Sequence, residues 1–147
     1  MSIVLGFNAK LYHNTGIYAT PVWDEITNVK DCKLGFSADE VDVTTRAGGG
    51  YKETEPGLID ANIEFGMVWD TDDADFTIIQ AAFLARTSIE MLVLDGSYLV
   101  AGSQGLRATM KVTKFERDEP VAGVLGVAVT MRPCIATNAP AWYTATT

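Results

Sequence analysis

Leu58-Ile-Asp-Ala-Asn-Ile-Glu-Phe-Gly-Met-Val-Trp69 is the stretch that decides the fold. Ile59, Ala61, Ile63, Phe65, Met67 and Trp69 take every second position, and Asp60, Asn62 and Glu64 stand between them. Side chains of a strand point alternately to its two faces. A period of two over this length therefore predicts a long strand with one apolar and one wet face. Upstream, Val41, Val43 and Thr45 alternate with Asp42, Thr44 and Arg46, and a glycine-rich segment over 47–57 joins the two runs into a hairpin with a long tip. Downstream the period changes. Asp72-Asp73-Ala74-Asp75 opens a helix expected over 73–86, with Asp72 as N-cap and Asp75 near the positive end of the dipole. Arg86 falls in its last turn, where a cation is favoured. Phe76, Ile79, Gln80, Phe83 and Leu84 form the stripe that would cover a sheet face.

Further from that centre the signals are shorter. A first strand is expected over 9–12, followed by a turn at Asn14-Thr15-Gly16, and two less regular strands over 23–26 and 31–36. Beyond the helix, a strand over 88–94 meets a tight hairpin turn at Asp95-Gly96 and returns over 98–101. Leu106, Ala108, Met110 and Val112 then alternate with Arg107, Thr109, Lys111 and Thr113, and Arg117-Asp118-Glu119-Pro120 breaks that strand. A last strand is expected over 121–134, with Leu125, Val127, Val129 and Met131 on one side. Seven or eight strands with short connections and one helix predict a mainly β protein. The expected architecture is an antiparallel β-sandwich or rolled barrel with one flanking α-helix. The β domain is expected over 1–134, with 135–147, small and polar, as a C-terminal tail.

Composition narrows the function. At 147 residues, 48% hydrophobic and 20% charged, the chain is a folded domain with apolar surface available for an interface. Eleven basic and 19 acidic residues give a net charge of −8, which disfavours tight binding to a nucleic-acid backbone or an anionic membrane. Cys32 and Cys134 read as buried small apolar residues rather than a disulfide framework. Residues 1–10 lack the pattern of a signal peptide, and no apolar run approaches the ~18 residues of a membrane span.

Candidate chemistry is sparse. Asp70, Asp72, Asp73 and Asp75 hint at a calcium loop, but the sixth and twelfth places hold Asp75 and Ala81 instead of glycine and glutamate. His13, the only histidine, lies beside the Asn14 turn and is expected to be exposed, not a catalytic base. One histidine and two cysteines are a poor zinc set. Gly48-Gly49-Gly50-Tyr51-Lys52 lacks the spacing and the β–α frame of a phosphate loop, so a flexible tip is expected. Asp60 and Glu64 share a strand face without forming an obvious acid pair. No aromatic platform interleaves with basic residues. Neither catalysis nor a cofactor is expected.

Several runs, in order, resemble a known family. Trp23-Asp-Glu-Ile-Thr-Asn-Val-Lys-Asp31, Ala38-Asp-Glu-Val-Asp-Val-Thr-Thr-Arg46 and Leu58 to Phe65 with Trp69-Asp70, Asp73 and Phe76 are similar to tail tube proteins of long-tailed bacteriophages. Gly105-Leu-Arg-Ala-Thr-Met110, Arg117 to Val121 and Val127-Ala-Val-Thr-Met131 continue the likeness, which spans about residues 5–134. The fold is shared with tubes of contractile injection systems and type VI secretion. The resemblance implies two packed antiparallel sheets flanked by a helix, and hexameric rings stacked into a hollow tube through which DNA leaves the capsid. It also implies residence in the virion tail, assembly in the bacterial host cytoplasm, and contact with tape measure, terminator and baseplate or tip proteins. No catalytic residue, cofactor or membrane anchor comes with it.

On that reading, Arg46, Gly48, Gly49, Gly50, Tyr51, Lys52, Glu53 and Glu55 are expected to reach a neighbouring ring, and Asp42, Asp60, Glu64 and Glu90 to face a lumen that must not hold DNA. Two rivals stand beside it: a monomeric β-barrel module binding a small apolar ligand, and an enzyme using carboxylates alone.

Overall fold

Among the described residues eight strands form: β1 (Lys10–Asn14), β2 (Trp23–Glu25), β3 (Val29–Asp42), β4 (Thr54–Val68), β5 (Ser88–Leu94), β6 (Gln104–Asp118), β7 (Gly126–Pro133) and β8 (Ala141–Thr144). One helix, α1 (Ala74–Ala85), joins β4 to β5. The structure, a computed structural model, describes residue 3 and residues 5–146; Met1, Ser2, Val4 and Thr147, at the extremes of the expected domain and tail, lie outside the described residues.

All eight strands belong to one antiparallel sheet, ordered β2-β1-β5-β6-β7-β4-β3, which does not close. The expected antiparallel β architecture with one flanking helix is present, as a single continuous curved sheet. Strand β8 lies off this path. Residues 105–107 of β6 pair with both β5 and β8, so β8 takes the edge of β6 that β7 occupies further along. The segment expected as a tail thus contributes a strand, and Ala145 after it is buried.

The alternation in β4 becomes burial only at its C-terminal end. Ala61, Ile63, Phe65 and Met67 meet Val127, Val129 and Met131 of β7, Ala108 and Met110 of β6, and Phe76, Ile79 and Ala82 of α1 in the main core. Trp69 and Phe115 ring Phe76 in tilted or edge-on contacts, with centroids 5.0 and 6.1 Å away. On the opposite face a smaller cluster gathers Tyr12, Trp23, Leu92 and Leu94, with Tyr98 and Tyr143 packed against it. Strand β1 lies between the two clusters, so Leu11, Tyr12 and His13 are all buried.

Several boundaries differ from expectation. The N-cap position of α1 is Asp73, not Asp72, because the chain turns one residue later; the Asp72 amide donates to Asp70 Oδ1 instead. Asp73 makes no side-chain cap bond, and its Oδ2 is buried without a partner. Arg86 stands in the left-handed region (φ 60°), where it ends the helix as the Thr87 amide reaches the Ala82 carbonyl at 3.0 Å. Leu84, assigned to the apolar stripe, is exposed, and Ala82 is buried in the core. The Asp95-Gly96 hairpin is replaced by a longer connection, since residues 98–101 are turn and β6 begins at Gln104, whose amide donates to Asp95 Oδ1 at 2.9 Å. Both cysteines are free, and Cys32 is exposed on β3 rather than buried.

Candidate assembly surfaces and a histidine–carboxylate cluster

Two features of the sheet suit partners. The first is its open edge. Strand β3 is terminal in the sheet, so the outer edge of its 14 residues has no strand partner among the described residues. A bare edge of that length is a template for pairing with another chain. The second is an arm. Strand β7 pairs with β4 only from Ile63 to Val68, whereas β3 follows β4 out to the pair Asp42–Thr54. Residues 54–62 with their β3 partners therefore run on as a two-stranded ribbon roughly 25–30 Å long, rooted at Ala61, which the main core still buries, and at Phe36, whose ring centroid lies 6.4 Å from that of Trp142 on β8. Phe36, Val41, Leu58 and Ile59 are exposed along it.

The arm's end holds the eight residues expected at a ring-to-ring contact. It is more ordered than a flexible tip. Thr44 Oγ1 accepts from the Glu53 amide at 2.8 Å, the Val43 amide reaches the Glu53 carbonyl at 3.0 Å, and the Thr44 amide donates to Asp42 Oδ1 at 2.9 Å. Arg46–Gly48 forms a short 3-10 turn. Gly49 and Gly50 then take φ of 68° and 91°, which glycine adopts without steric penalty. The Glu53 carboxylate lies against Gly48, and Tyr51 is 79% exposed. Lys52 and Glu55 flank it on the exposed end.

The four carboxylates expected in a lumen do not form one group. Asp60 and Glu64 share the face of β4 opposite the main core. Basic residues stand among them. Arg132 donates to Asp60 at 2.6 Å, and Lys33 sits directly opposite Glu64. Lys114 lies opposite Thr130, the β7 partner of Glu64. That face is of mixed sign. Asp42 belongs to the arm's end, where hydrogen bonds from the Thr44 side chain and amide hold its carboxyl below the usual carboxylate range. Glu90 is part-buried, ion-paired to Arg107 Nε and accepting from Asn14 Nδ2 at 3.0 Å. Arg107 in turn donates to the Tyr18 carbonyl at 2.7 Å and stacks over the Tyr18 ring at 3.8 Å. Glu90 thus anchors the loop between β1 and β2 instead of facing outward.

His13 was expected in an exposed turn and is 3% exposed. Strand β1 continues through it to Asn14, and the helix closes over that face. His13 Nε2 lies 2.7 Å from Asp75 Oδ1 in the first turn of α1 and 3.2 Å from Asp24 Oδ2 on β2. Asp75 is buried, and that desolvation raises its carboxyl above the usual range against the opposing pull of the His13 hydrogen bond. The donor atoms of the three residues lie within 4.8 Å of one another. No local pattern announces this cluster, because its members come from three elements and His13 and Asp75 are 62 positions apart.

The fold is similar to those of solved phage-like tail structures. No family model matches the chain, and no curated protein matches it. Among solved structures, the tail of the empty gene transfer agent particle, refined with six-fold cyclic symmetry, superposes with a TM-score of 0.73 at 18% identity. That match covers 95% of this chain and 98% of the other. The SPP1 tail tube gives 0.71 at 13% identity over 88% and 75% of the two chains. The baseplate of the anti-feeding prophage gives 0.68 at 6% identity over 100% and 99%. At these identities the likeness is one of fold, and it agrees with the resemblance noted in the sequence.

Proposed function

We propose that this chain is the structural subunit of a virion tail tube, built as hexameric rings that stack into a hollow conduit for DNA. The observation that carries the reading is the match of nearly the whole chain to a tail refined with six-fold cyclic symmetry. Two features of this chain support it. The open β3 edge is a hazard in a monomer and is removed when head-to-tail pairing closes a ring. The arm, with its exposed Phe36, Val41, Leu58 and Ile59, supplies a surface that a second, non-closing contact between rings would cover. The subunit acts by geometry rather than catalysis. It assembles in the bacterial host cytoplasm and meets tape measure, terminator and baseplate or tip proteins at the ends of the tube.

DNA must pass without sticking, and duplex DNA carries about one charge per 1.7 Å of axis. If the Asp60–Glu64 face lines the bore, its carboxylates serve by neutralising Arg132, Lys33 and Lys114 as much as by repelling phosphate. Electron microscopy of concentrated protein is expected to show rings and tubes; isolated globules under every condition, cognate assembly factors included, would end the proposal. Deleting residues 48–55 should leave a folded protein that forms no long tubes, and normal tubes would remove the arm's end from the ring contact. Asp60→Lys with Glu64→Lys should keep the tube and slow DNA passage, so unchanged infectivity would take those two residues out of the bore.

A further inference from the structure

We propose that His13, Asp24 and Asp75 form a binding site for a divalent first-row cation, zinc being the ion their donors fit. The first argument is charge. Two carboxylates converge on one imidazole, and the ion pairs of Asp24 and Asp75 among the described residues both run to His13. With both carboxylates ionised, a protonated histidine leaves the group at −1, with Asp75 buried and Asp24 about half exposed. A neutral histidine with a divalent ion brings it to zero, the cheaper state away from water.

The second argument is geometry. Tetrahedral zinc with bonds of 2.0–2.1 Å sets its ligands about 3.3 Å apart. The two histidine–carboxylate separations are 2.7 and 3.2 Å, and all three donor atoms fall within 4.8 Å. To reach that spacing the 2.7 Å pair must open by about 0.6 Å, with Nε2 losing its proton to solvent as the bond to the ion forms.

The third is access. A cavity of about 710 Å³ lined by His13, Ile78, Ala82, Ser88, Glu90 and Thr109 opens beside the imidazole. Asp24 and Asp75 do not line it, so the ion's way in is past the half-exposed Asp24 carboxylate, with solvent supplying the fourth ligand. Three protein ligands from β1, β2 and α1 would then staple the helix to the short edge of the sheet. Asp24 is about half exposed, so it can be removed with little effect on packing.

The test is calorimetric titration of the intact chain with zinc chloride, paired with thermal melting. One zinc per chain is expected to bind saturably. A concentration a hundredfold above the dissociation constant should raise the melting midpoint by roughly 5–10 °C. Asp24→Ala and Asp75→Asn should each weaken binding at least tenfold and, at the same zinc concentration, cut the thermal shift to about half or less. If Asp24→Ala melts early without metal, Asp75→Asn, which keeps an acceptor for the imidazole N–H, decides the question. Cobalt in place of zinc should give the visible absorption of a four-coordinate site without a thiolate charge-transfer band. Absent or unsaturable binding, full affinity in both variants, a thiolate band implicating Cys32 or Cys134, or preference for calcium over zinc would each overturn the assignment.

Discussion

Strand β4 has two halves with the same alternation and opposite surroundings. Ile59 and Ile63 stand on the same face, four residues apart; Ile63 is fully buried and Ile59 is 74% exposed. What differs is the neighbour. From Ile63 onward β7 extends the sheet and α1 covers it, while at Ile59, two residues before the first buried position at Ala61, only β3 pairs with the strand. Alternation thus specifies that a strand has an apolar face, and the topology decides whether the chain covers that face or leaves it open.

The sharpest way to break this contrast is to truncate both isoleucines. Ile63→Ala should destabilise the subunit by about 2–5 kcal/mol. That corresponds to a fall of roughly 5–15 °C in melting midpoint, read by calorimetry of unassembled protein. Ile59→Ala should stay within about 0.5 kcal/mol of the parent. Equal losses at the two positions would show that the arm is packed in the free subunit. The complementary variant, Ile59→Thr, should melt like the parent and lose tube formation by electron microscopy. Tubes of normal length would free Ile59 from the contact.

A smaller effect sharpens the helix-covered side. Arg86 holds a left-handed conformation that costs a residue with a Cβ on the order of 1–2 kcal/mol. Arg86→Gly should therefore stabilise the subunit by about 0.5–1 kcal/mol after the added freedom of the unfolded chain is counted. A lower melting midpoint would mean that the arginine side chain has a role of its own. The smallest effect belongs to the arm. Because the folded Asp42 carboxyl titrates below its unfolded value, its hydrogen bonds to Thr44 support the turn above the ordinary carboxylate pKa of about 3.9 and are lost as pH falls through the lowered value. Amide exchange at residues 43–53 should accelerate there while the core amides of β4 and β7 stay protected. Simultaneous loss in both regions would contradict an independently ordered arm.

Where one side of a strand is buried by its own chain, the sequence is readable: β4, β6 and β7 alternate because their inner residues meet the main core. Strand β3 reads as two fragments because almost all of it is exposed, so nothing in the chain enforces a period on Lys30, Asp31, Lys33, Ser37 and Asp39. Strand β8 is hidden for a different reason. Its four residues sit among small polar ones, and Tyr143 is placed by a ring on β2, Trp23, with centroids 6.2 Å apart. The glycine-rich arm tip was locatable from composition. The face shared by Asp60 with Arg132, and by Glu64 with Lys33, was not, because cross-strand register sets it. His13 was misread because the first strand runs to Asn14, two residues past its expected end at 12, which leaves the ring inside a strand.

Strand β8 also imposes a schedule. Its partner segment on β6 lies some 37 residues earlier in the chain, at the pairs Gln104–Thr144 through Arg107–Ala141. Until residues 141–144 dock, the first residues of β6 have β5 on one flank and no strand on the other. The main core holds no residue of β8, so closing this seam is a step separable from building that core.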